Sequence, residues 1–446
     1  MKSFQLFASL LFLSFNANAQ VQIRPSPVIG YEKRIMDYID GMSIVDTHEH
    51  LLSQAELKQK TALDFMVLFC HYNGTGASIG RLLKDSLSVR EKWQILKPYW
   101  EGSSNVSYNR IALIAADKLF NVKDINEFTV TELSEKIGRA YQTDWITNVL
   151  GKGKIEFLIQ MNPVRSINNK RFRYVVWFDN FININSKEKI DSIHTFRYTS
   201  IPNQKNVSIQ TLDALTDALE TDLKKAKEQG IVAIKTALAY SRILYYEKVN
   251  KERAQEVFNK IMSSPGGKSL SFTDAKPLQD YMMHRVLDLA KANNIPVIIH
   301  TGLNGGKTTI EDANPTHLVN LFREYPDVNF VLLHGGYPYG GELATIAKYF
   351  KNVYIDMAWL YAISPSFSER YLHEWLETVP ASKIMAFGGD YLNIENIYGH
   401  LLFAKQIVSR VLIDKVKDGY FSESEAKNFA RMILHDNAVN FYKLVP

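Results

Sequence analysis

The stretch Ser43-Ile44-Val45-Asp46-Thr47-His48-Glu49-His50 is a short apolar run that ends in two histidines. Three later apolar runs end in a similar way, with a histidine or an aspartate: Val297–His300, Val331–His334 and Met385–Asp390. Short runs rich in valine, isoleucine and leucine predict buried β-strands. The repeated placement of a polar residue at the end of such a strand is the feature from which the fold and the site are both predicted.

Apolar runs of this kind occur eight times and alternate with segments of helical periodicity. They cover residues 43–48, 155–160, 174–178, 232–236, 296–301, 329–334, 353–357 and 383–388. Alternation of strand and helix predicts a parallel sheet that is covered on both faces. Eight repeats favour an α/β fold of the closed (β/α)8 TIM-barrel type. An open, doubly wound sheet is the alternative, because the strand count alone does not separate the two folds.

One connection is unusually long and lies between the first and second runs. Residues 51–154 contain helix-like stretches around 110–120 and 130–145. Because a connection of this length rarely stays structureless inside a compact domain, we expect a helical insertion after strand 1. The chain contains no internal repeat and no linker rich in glycine, proline or serine. We therefore expect one elaborated domain over residues 20–446.

The composition excludes several classes of protein. The chain has 446 residues, and 52 Lys and Arg against 47 Asp and Glu give a net charge of +5 that is dispersed along the sequence. Nucleic-acid-binding proteins usually carry a clustered basic surface, so we expect no nucleic-acid partner. The single cysteine, Cys70, excludes an internal disulfide framework and a multi-cysteine metal site.

The first residues predict a secretory signal peptide. Lys2 precedes an apolar run at 4–15, and Ala17-Asn18-Ala19 provides an Ala-x-Ala cleavage site before Gln20. The run is shorter than the roughly 18 residues that span a bilayer, and no later run reaches that length. We therefore expect residues 1–19 to be removed, the rest to be exported to the periplasm or secreted, and no stable membrane insertion afterwards.

Five residues at predicted strand ends favour a metal site. His48 and His50 lie two residues apart, so in an extended chain both side chains point to the same side. His300, His334 and Asp390 end other strands, and in a parallel barrel all the carboxyl ends of strands lie on one face. A lone histidine at a strand end is more often a packed structural residue. Four histidines and an aspartate in this placement indicate a metal site.

These residues resemble those of the amidohydrolase superfamily, in particular the amidohydrolase-related branch that also contains decarboxylases. The resemblance implies His48, His50 and His300 as metal ligands, His334 as a ligand or a substrate-facing histidine, and Asp390 as a metal-associated general base. Several stretches look like the nodulin and glutamine-synthetase-fused subgroup: Ala233-Ile234-Lys235, Ala239-Tyr240-Ser241-Arg242, Asn314-Pro315, His334-Gly335-Gly336-Tyr337-Pro338 and Val353-Tyr354-Ile355-Asp356. We expect a divalent metal, zinc above all, as one ion with two as the alternative.

Residue chemistry is consistent with these roles. A divalent metal lowers the pKa of bound water toward 7 and polarises a carbonyl. Asp390 is then suited to accept the proton of that water and to pass it to the leaving group. His334 is suited to stabilise an oxyanion or to complete the metal's coordination. The alternative for Asp390 is a turn aspartate that follows two glycines.

Three further residues are predicted to bind the substrate. Lys235 ends a buried-looking strand, where a lysine rarely lies without a partner. Substrate contact is favoured there over two alternatives, a structural salt bridge and the carboxylated, metal-bridging lysine of some superfamily members. Arg242 is suited to clamp a carboxylate, or else it simply begins the next helix. Tyr337 follows a strand end and either forms a wall of the pocket or packs against the core.

The leading functional expectation is a metal-dependent hydrolase that cleaves an amide, ester or lactone of a small, acidic substrate. A metal-dependent decarboxylase and a uronate-isomerase-like enzyme are the alternatives, since helical insertions after the first strand also occur in barrel uronate isomerases. A binding protein with a structural metal is disfavoured, because structural zinc is usually closed by four cysteine or histidine ligands. The sequence leaves homo-oligomerisation open.

Overall fold

The structure is a computed structural model that describes residues 30–71, 75, 79–80, 82, 86–161, 170–193, 208–305 and 309–445. The predicted signal peptide, residues 1–19, lies outside the described residues. Across the described part of the chain, none of the helices combines the length and the apolar character that a bilayer crossing requires.

Eight parallel strands form one sheet and are paired in the order in which they occur in the chain. They are β1 Ile44–Glu49, β2 Ile155–Gln160, β3 Phe172–Trp177, β4 Ala233–Thr236, β5 Val297–Ile299, β6 Phe330–Leu332, β7 Val353–Asp356 and β8 Ile384–Met385. Backbone hydrogen bonds then join β1 to the residues that follow β8, from Thr47 N to Phe387 O (3.1 Å) and from Asp390 N to His48 O (2.9 Å). These bonds close the sheet, so the (β/α)8 TIM barrel is confirmed and the open, doubly wound sheet is wrong.

Each predicted strand coincides with an observed one, and the differences lie at the ends. β3 begins at Phe172 rather than at residue 174, and β6 stops at Leu332. The early end of β6 has a local cause, because His334 and Gly335 have φ values of 63° and 55°. Such left-handed backbone cannot continue a strand. The turn therefore directs the chain, and the side chain of His334, across the end of the barrel.

Helices surround the barrel and alternate with its strands. Outside the β1–β2 connection they are α1 Gly30–Gly41, α7 Asp179–Ile182, α8 Lys187–Ser192, α9 Leu212–Glu228, α10 Lys251–Met262, α11 Phe272–Asn293, α12 Val319–Glu324, α13 Gly340–Tyr349, α14 Leu360–Ile363, α15 Pro365–Thr378, α16 Ile394–Lys417, α17 Glu423–Arg431 and α18 Asn437–Tyr442. Apolar side chains fill two spaces, one between the sheet and the helices and the other inside the barrel.

The connection from β1 to β2 is the predicted helical insertion. Its described helices are α2 Gln54–Lys60, α3 Val89–Ser103, α4 Ser107–Phe120, α5 Val130–Ala140 and α6 Trp145–Lys152. The insertion has an apolar core of its own that includes Phe65, Trp93 and Leu133. It is also attached to α16 of the barrel, since the indole of Trp145 donates to Glu395 (2.8 Å). The insertion is therefore attached to the barrel.

Candidate active site

His48, His50 and Asp390 meet where the end of β1 lies beside the loop after β8. The backbone N–H of Asp390 donates to the carbonyl of His48, and Asp390 itself has a φ of 60°. This conformation turns the aspartate side chain back toward the two histidines at the end of β1. The side chains of His48 and Asp390 are nearly inaccessible to solvent, whereas the side chain of His50 is 22% exposed.

The spacing of these three side chains matches a metal site better than a hydrogen-bonded cluster. Oδ1 of Asp390 lies 3.6 Å from Nε2 of His48 and 3.4 Å from Nε2 of His50. These distances exceed the 2.7–3.2 Å that is usual for N–H···O bonds. Zinc bonds of about 2.0–2.2 Å with tetrahedral angles separate two ligand atoms by about 3.3–3.6 Å. The three residues therefore fit a divalent metal ion, and all their ligand atoms lie within 4.8 Å of one another.

His300 and His334 form a second part of the same site. Nε2 of His300 contacts the carbonyl of Leu303 (2.9 Å), and Nδ1 of His334 contacts the carbonyl of Ala358 (2.9 Å). A carbonyl only accepts hydrogen bonds, so these two nitrogens carry the protons of the neutral rings. The remaining nitrogens, Nδ1 of His300 and Nε2 of His334, lie 3.0 Å apart and both present lone pairs. Two lone pairs at that distance are stabilised by a cation, either a proton or a metal.

The electrostatics of the site disfavour protonation of the histidines. Burial lowers the pKa values of His50 and His334 to about 3, and the positive charge of Lys235 acts in the same direction. Burial also lowers the pKa values of His48 and His300 far below the ordinary histidine range. Neutral imidazole is the form of histidine that binds a metal. All four rings are therefore in the ligating form at neutral pH.

Lys235 lies inside the barrel at the end of β4 and is 1% exposed. Among the described residues its Nζ has no hydrogen-bond partner, and it lies 5.7 Å from the centre of the Trp177 ring. Burial lowers the pKa of Lys235 to about 7, although the nearby carboxylates of Asp390 and Asp179 partly oppose the shift. A buried ammonium in this position is suited to bind an anionic group that enters the site.

Comparison with known proteins identifies the family. The family model described as amidohydrolase matches residues 213–444, which are 232 of the 446 residues. The chain belongs to the amidohydrolase family. The predicted amidohydrolase-related branch is thereby confirmed, whereas the nodulin and glutamine-synthetase-fused subgroup still rests on resemblance.

Two curated relatives match this amidohydrolase over different lengths. The protein fluG of Emericella nidulans is 27% identical over 248 residues, which are 54% of this chain and 27% of fluG. The chain thus spans about a quarter of that relative. The uronate isomerase of Thermotoga sp. (strain RQ2) is 22% identical over 92% of this chain and 96% of its own length. The crystal structure of the Thermotoga maritima uronate isomerase superposes with a TM-score of 0.73 at 18% identity, over 92% of this chain and 97% of that one.

Two predicted substrate-binding residues of this amidohydrolase have other described contacts. The guanidinium of Arg242 donates to Asp280 (2.6 Å), Gln279 (3.0 Å) and the carbonyls of residues 243 and 245, and its side chain is fully buried. These bonds attach the loop after β4 to α11, so the structure gives no support to a substrate clamp. The ring of Tyr337 packs 4.8 Å from that of Phe367 on α15. This contact corresponds to the alternative in which Tyr337 packs against the core.

Two acidic residues that were not singled out from the sequence support the site. Oδ1 of Asp46 accepts from the backbone N–H groups of His48 and Gly389, both at 3.2 Å. Oε2 of Glu49 accepts from the backbone N–H of Tyr391 (2.8 Å). Both carboxyl groups are buried, and burial raises the pKa of Asp46 to about 7. They attach the loop that carries Asp390 to β1. In the sequence, only the position of Asp46 and Glu49 in the first strand indicates that they lie near the site.

Aromatic side chains from three connections of the barrel, those after β1, β4 and β7, lie around the histidines. The ring of Tyr240 lies 4.6 Å from that of His300, and Trp359 lies 5.4 Å from His334. His71, which belongs to the insertion, lies 6.3 Å from His50. The fourth aromatic side chain is that of Tyr108 on α4, whose ring lies 6.4 Å from that of Trp359. Sequence reasoning missed Tyr108 and Tyr240, because nothing in their local sequence indicates proximity to the histidines.

Proposed function

We propose that this amidohydrolase is a zinc-dependent hydrolase that cleaves an amide, ester or lactone of a small, acidic substrate. The observation that carries the proposal is the cluster of His48, His50 and Asp390, whose spacing of 3.4–3.6 Å suits one divalent ion. When bound, a divalent ion lowers the pKa of water toward 7 and polarises a carbonyl. His300 and His334 complete the site.

Each side chain has a distinct part in the proposed reaction. Asp390 accepts the proton of the attacking water and later delivers it to the leaving group. His334 has its Nδ1–H fixed by the carbonyl of Ala358, so the lone pair of its Nε2 points in a constant direction and is suited to bind the metal. The ammonium of Lys235 binds a carboxylate of the substrate. This pairing compensates part of the unfavourable burial of both charges.

A second candidate, an isomerase of sugar acids, is favoured by one specific observation. The likeness to the Thermotoga uronate isomerase covers 92% of this chain and 96% of that protein, and so includes the helical insertion. In such a reaction Asp390 would move a proton between neighbouring carbons of an open-chain substrate. The same residues would serve a decarboxylase, whose product is carbon dioxide.

The product chemistry separates these candidates. Zinc-loaded protein is incubated in H₂¹⁸O and, separately, in D₂O with simple carboxylated amides, esters and lactones and with D-glucuronate. Incorporation of ¹⁸O into a new carboxyl group supports the hydrolase. Deuterium in a ketose product identifies the isomerase, and release of carbon dioxide identifies the decarboxylase.

The site assignment has its own test. We expect His48→Ala and Asp390→Asn to lower kcat by about a thousandfold or more, because each removes a metal ligand and Asp390→Asn also removes the base. Elemental analysis should show less than one zinc per chain in His48→Ala. Full activity and full zinc content in both variants would exclude this site.

We also infer export, on the basis of the signal-peptide pattern in residues 1–19. Expression with the native amino terminus in a bacterium that exports proteins should yield a product that begins at Gln20. A product that retains Met1 in the cytoplasm would contradict this inference.

A further inference from the structure

Tyr108 of the insertion meets Trp359 of the β7 loop directly beside the histidines. Their ring centres lie 6.4 Å apart, and the indole lies 5.4 Å from the ring of His334. The preceding residue of α4, Ser107, donates from its hydroxyl to the carbonyl of Ala362 on α14, which begins directly after Trp359 in the β7 connection. Two consecutive residues of the insertion are therefore attached to this loop.

The direction of the contact between Tyr108 and Trp359 follows from their chemistry. The hydroxyl of Tyr108 interacts with the side chain of Trp359 and with the carboxylate of Asp390, and so lies near both. An indole N–H only donates hydrogen bonds, whereas a phenol both accepts and donates them, so the indole is suited to orient the phenol oxygen and the phenol is suited to donate to a substrate. The backbone N–H of Trp359 donates to the carbonyl of Gly388 (2.9 Å), which fixes the indole relative to the loop that carries Asp390.

The surroundings keep the phenol in its donor form. Burial raises the pKa of Tyr108, and the nearby negative charge of Asp390 raises it further. A neutral phenol close to a carboxylate and a metal site is a hydrogen-bond donor, not a base. The ring of Tyr240 also faces this space, beside His300.

We propose that Tyr108 is a further substrate-binding residue, whose hydroxyl donates a hydrogen bond to an oxygen atom of the substrate next to the carbon at which Asp390 acts. Trp359 is a positioning residue, because it orients that hydroxyl without needing to touch the substrate. The inference rests on the proposed function. It restricts the substrate to molecules with a hydroxyl, carbonyl or carboxylate oxygen beside the reacting group, and it gives the insertion a direct part in recognition.

Binding of acetohydroxamate to the zinc-loaded full chain tests the inference without requiring turnover. This probe binds metals and carries two neighbouring oxygen acceptors. We expect Tyr108→Phe to raise the Kd of acetohydroxamate about 5- to 10-fold in calorimetric titrations, as loss of one hydrogen bond predicts, with unchanged zinc content. Trp359→Phe should raise the Kd less, because the phenol remains but loses its orienting donor. Tyr99→Phe, on α3 with Tyr99 50% exposed, is the matched control and should leave the Kd unchanged.

The possible failures are distinguishable. An unchanged Kd in Tyr108→Phe would overturn this inference and leave the metal site intact. Zinc-loaded wild-type protein that does not bind acetohydroxamate would also overturn it, because the donor would then not face the space beside the ligands. Wild-type protein that binds no zinc would instead overturn the proposed function itself. If Tyr108→Phe fails to fold, an unchanged Kd in Trp359→Phe contradicts the proposed orientation of the phenol.

Discussion

At the scale of single residues, the role of Lys235 distinguishes a site with one metal ion from a site with two. Its buried Nζ interacts electrostatically with Asp390 and with the histidines of the candidate site, and in the described part of the chain it makes no hydrogen bond. A lysine in this position either meets an anionic substrate or carries a carboxyl group that bridges two metals. The neighbouring charge of Asp390 and the reduced pKa of about 7 are compatible with both.

We expect Lys235→Ala to keep one zinc per chain and to raise the KM of a carboxylated substrate about 10- to 100-fold, because a hydrogen-bonded ion pair with that substrate is lost. The KM of the matching uncharged substrate should change little. Elemental analysis and steady-state kinetics measure both effects. A fall from two metals to one or none in the variant would contradict this prediction and support the carboxylated lysine.

At the scale of secondary-structure elements, the contact between β1 and the β8 loop decides where Asp390 lies. A Cβ at Gly389 would lie 1.9 Å from Oε1 of Glu49. The glutamate cannot withdraw easily, since it is buried and its other oxygen is bonded to the backbone N–H of Tyr391. The absence of a side chain at Gly389 therefore allows the loop to approach β1.

We predict that Gly389→Ala reduces the free energy of unfolding by about 1–3 kcal/mol, as overpacking does elsewhere, and weakens zinc binding because Asp390 is displaced. Chemical denaturation and zinc titration measure the two effects. Gly341→Ala on α13 is the matched control, because a Cβ there meets no atom within 4 Å. Equal stability of the two variants would show that the loop is free to move.

The connection between β3 and β4 predicts a pH dependence. Asp179, the first residue of α7, accepts from the backbone N–H of Ala237 (2.8 Å) just after β4. Burial raises the pKa of Asp179 from its ordinary 3.8 to about 6, although hydrogen bonds from Thr236 and Ala237 partly oppose the shift. Between pH 4 and 6 the folded protein therefore retains a proton that the unfolded chain loses, so stability decreases as the pH rises through this range.

Asp179→Asn removes this titration. Relative to the variant, wild-type protein should lose about 3 kcal/mol of unfolding free energy between pH 4 and 6, which corresponds to a pKa difference of about two units. Urea denaturation of metal-free protein at several pH values gives this difference. Asp217→Asn makes the same chemical change on an exposed position of α9 and is the control. A difference that does not vary with pH would contradict the prediction.

At the scale of the whole molecule, the proposed metal site lies across the seam of the barrel. Its candidate ligands come from the end of β1 and from the loop after β8, which are joined there by backbone hydrogen bonds. An ion held by His48, His50 and Asp390 would link the first strand to the last and bind only the folded chain. Ligands of that kind stabilise a protein by mass action.

We therefore expect zinc to raise the melting temperature of metal-depleted protein by several degrees, since a ligand at 1,000 times its Kd adds about 4 kcal/mol. Scanning calorimetry with and without zinc measures the shift. His48→Ala should show little shift at the same zinc concentration. An equal shift in the variant would indicate that zinc acts elsewhere on the molecule.

The sequence by itself determined the barrel and the strand-end residues. Each strand is a short apolar run, and periodicity within a few residues is enough to find it. The polar residues that end these runs, such as His48 and Asp390, then share one face because parallel strands have the same direction. The strand boundaries were less accurate where a turn with positive φ, as at His334, interrupts an apolar run.

Only the tertiary structure decided which polar residues face the site. Lys235 ends β4 and Arg242 follows it, but Arg242 pairs with Asp280, 38 residues along the chain, whereas Lys235 interacts with Asp390 of the candidate metal site. Tyr108 and Trp359 are distant in the sequence and meet only because the insertion packs on the β7 loop. Such contacts depend on how whole elements pack. Local patterns of hydrophobicity and charge do not determine that packing, so the sequence alone cannot show that Arg242 contacts Asp280 or that Tyr108 contacts Trp359.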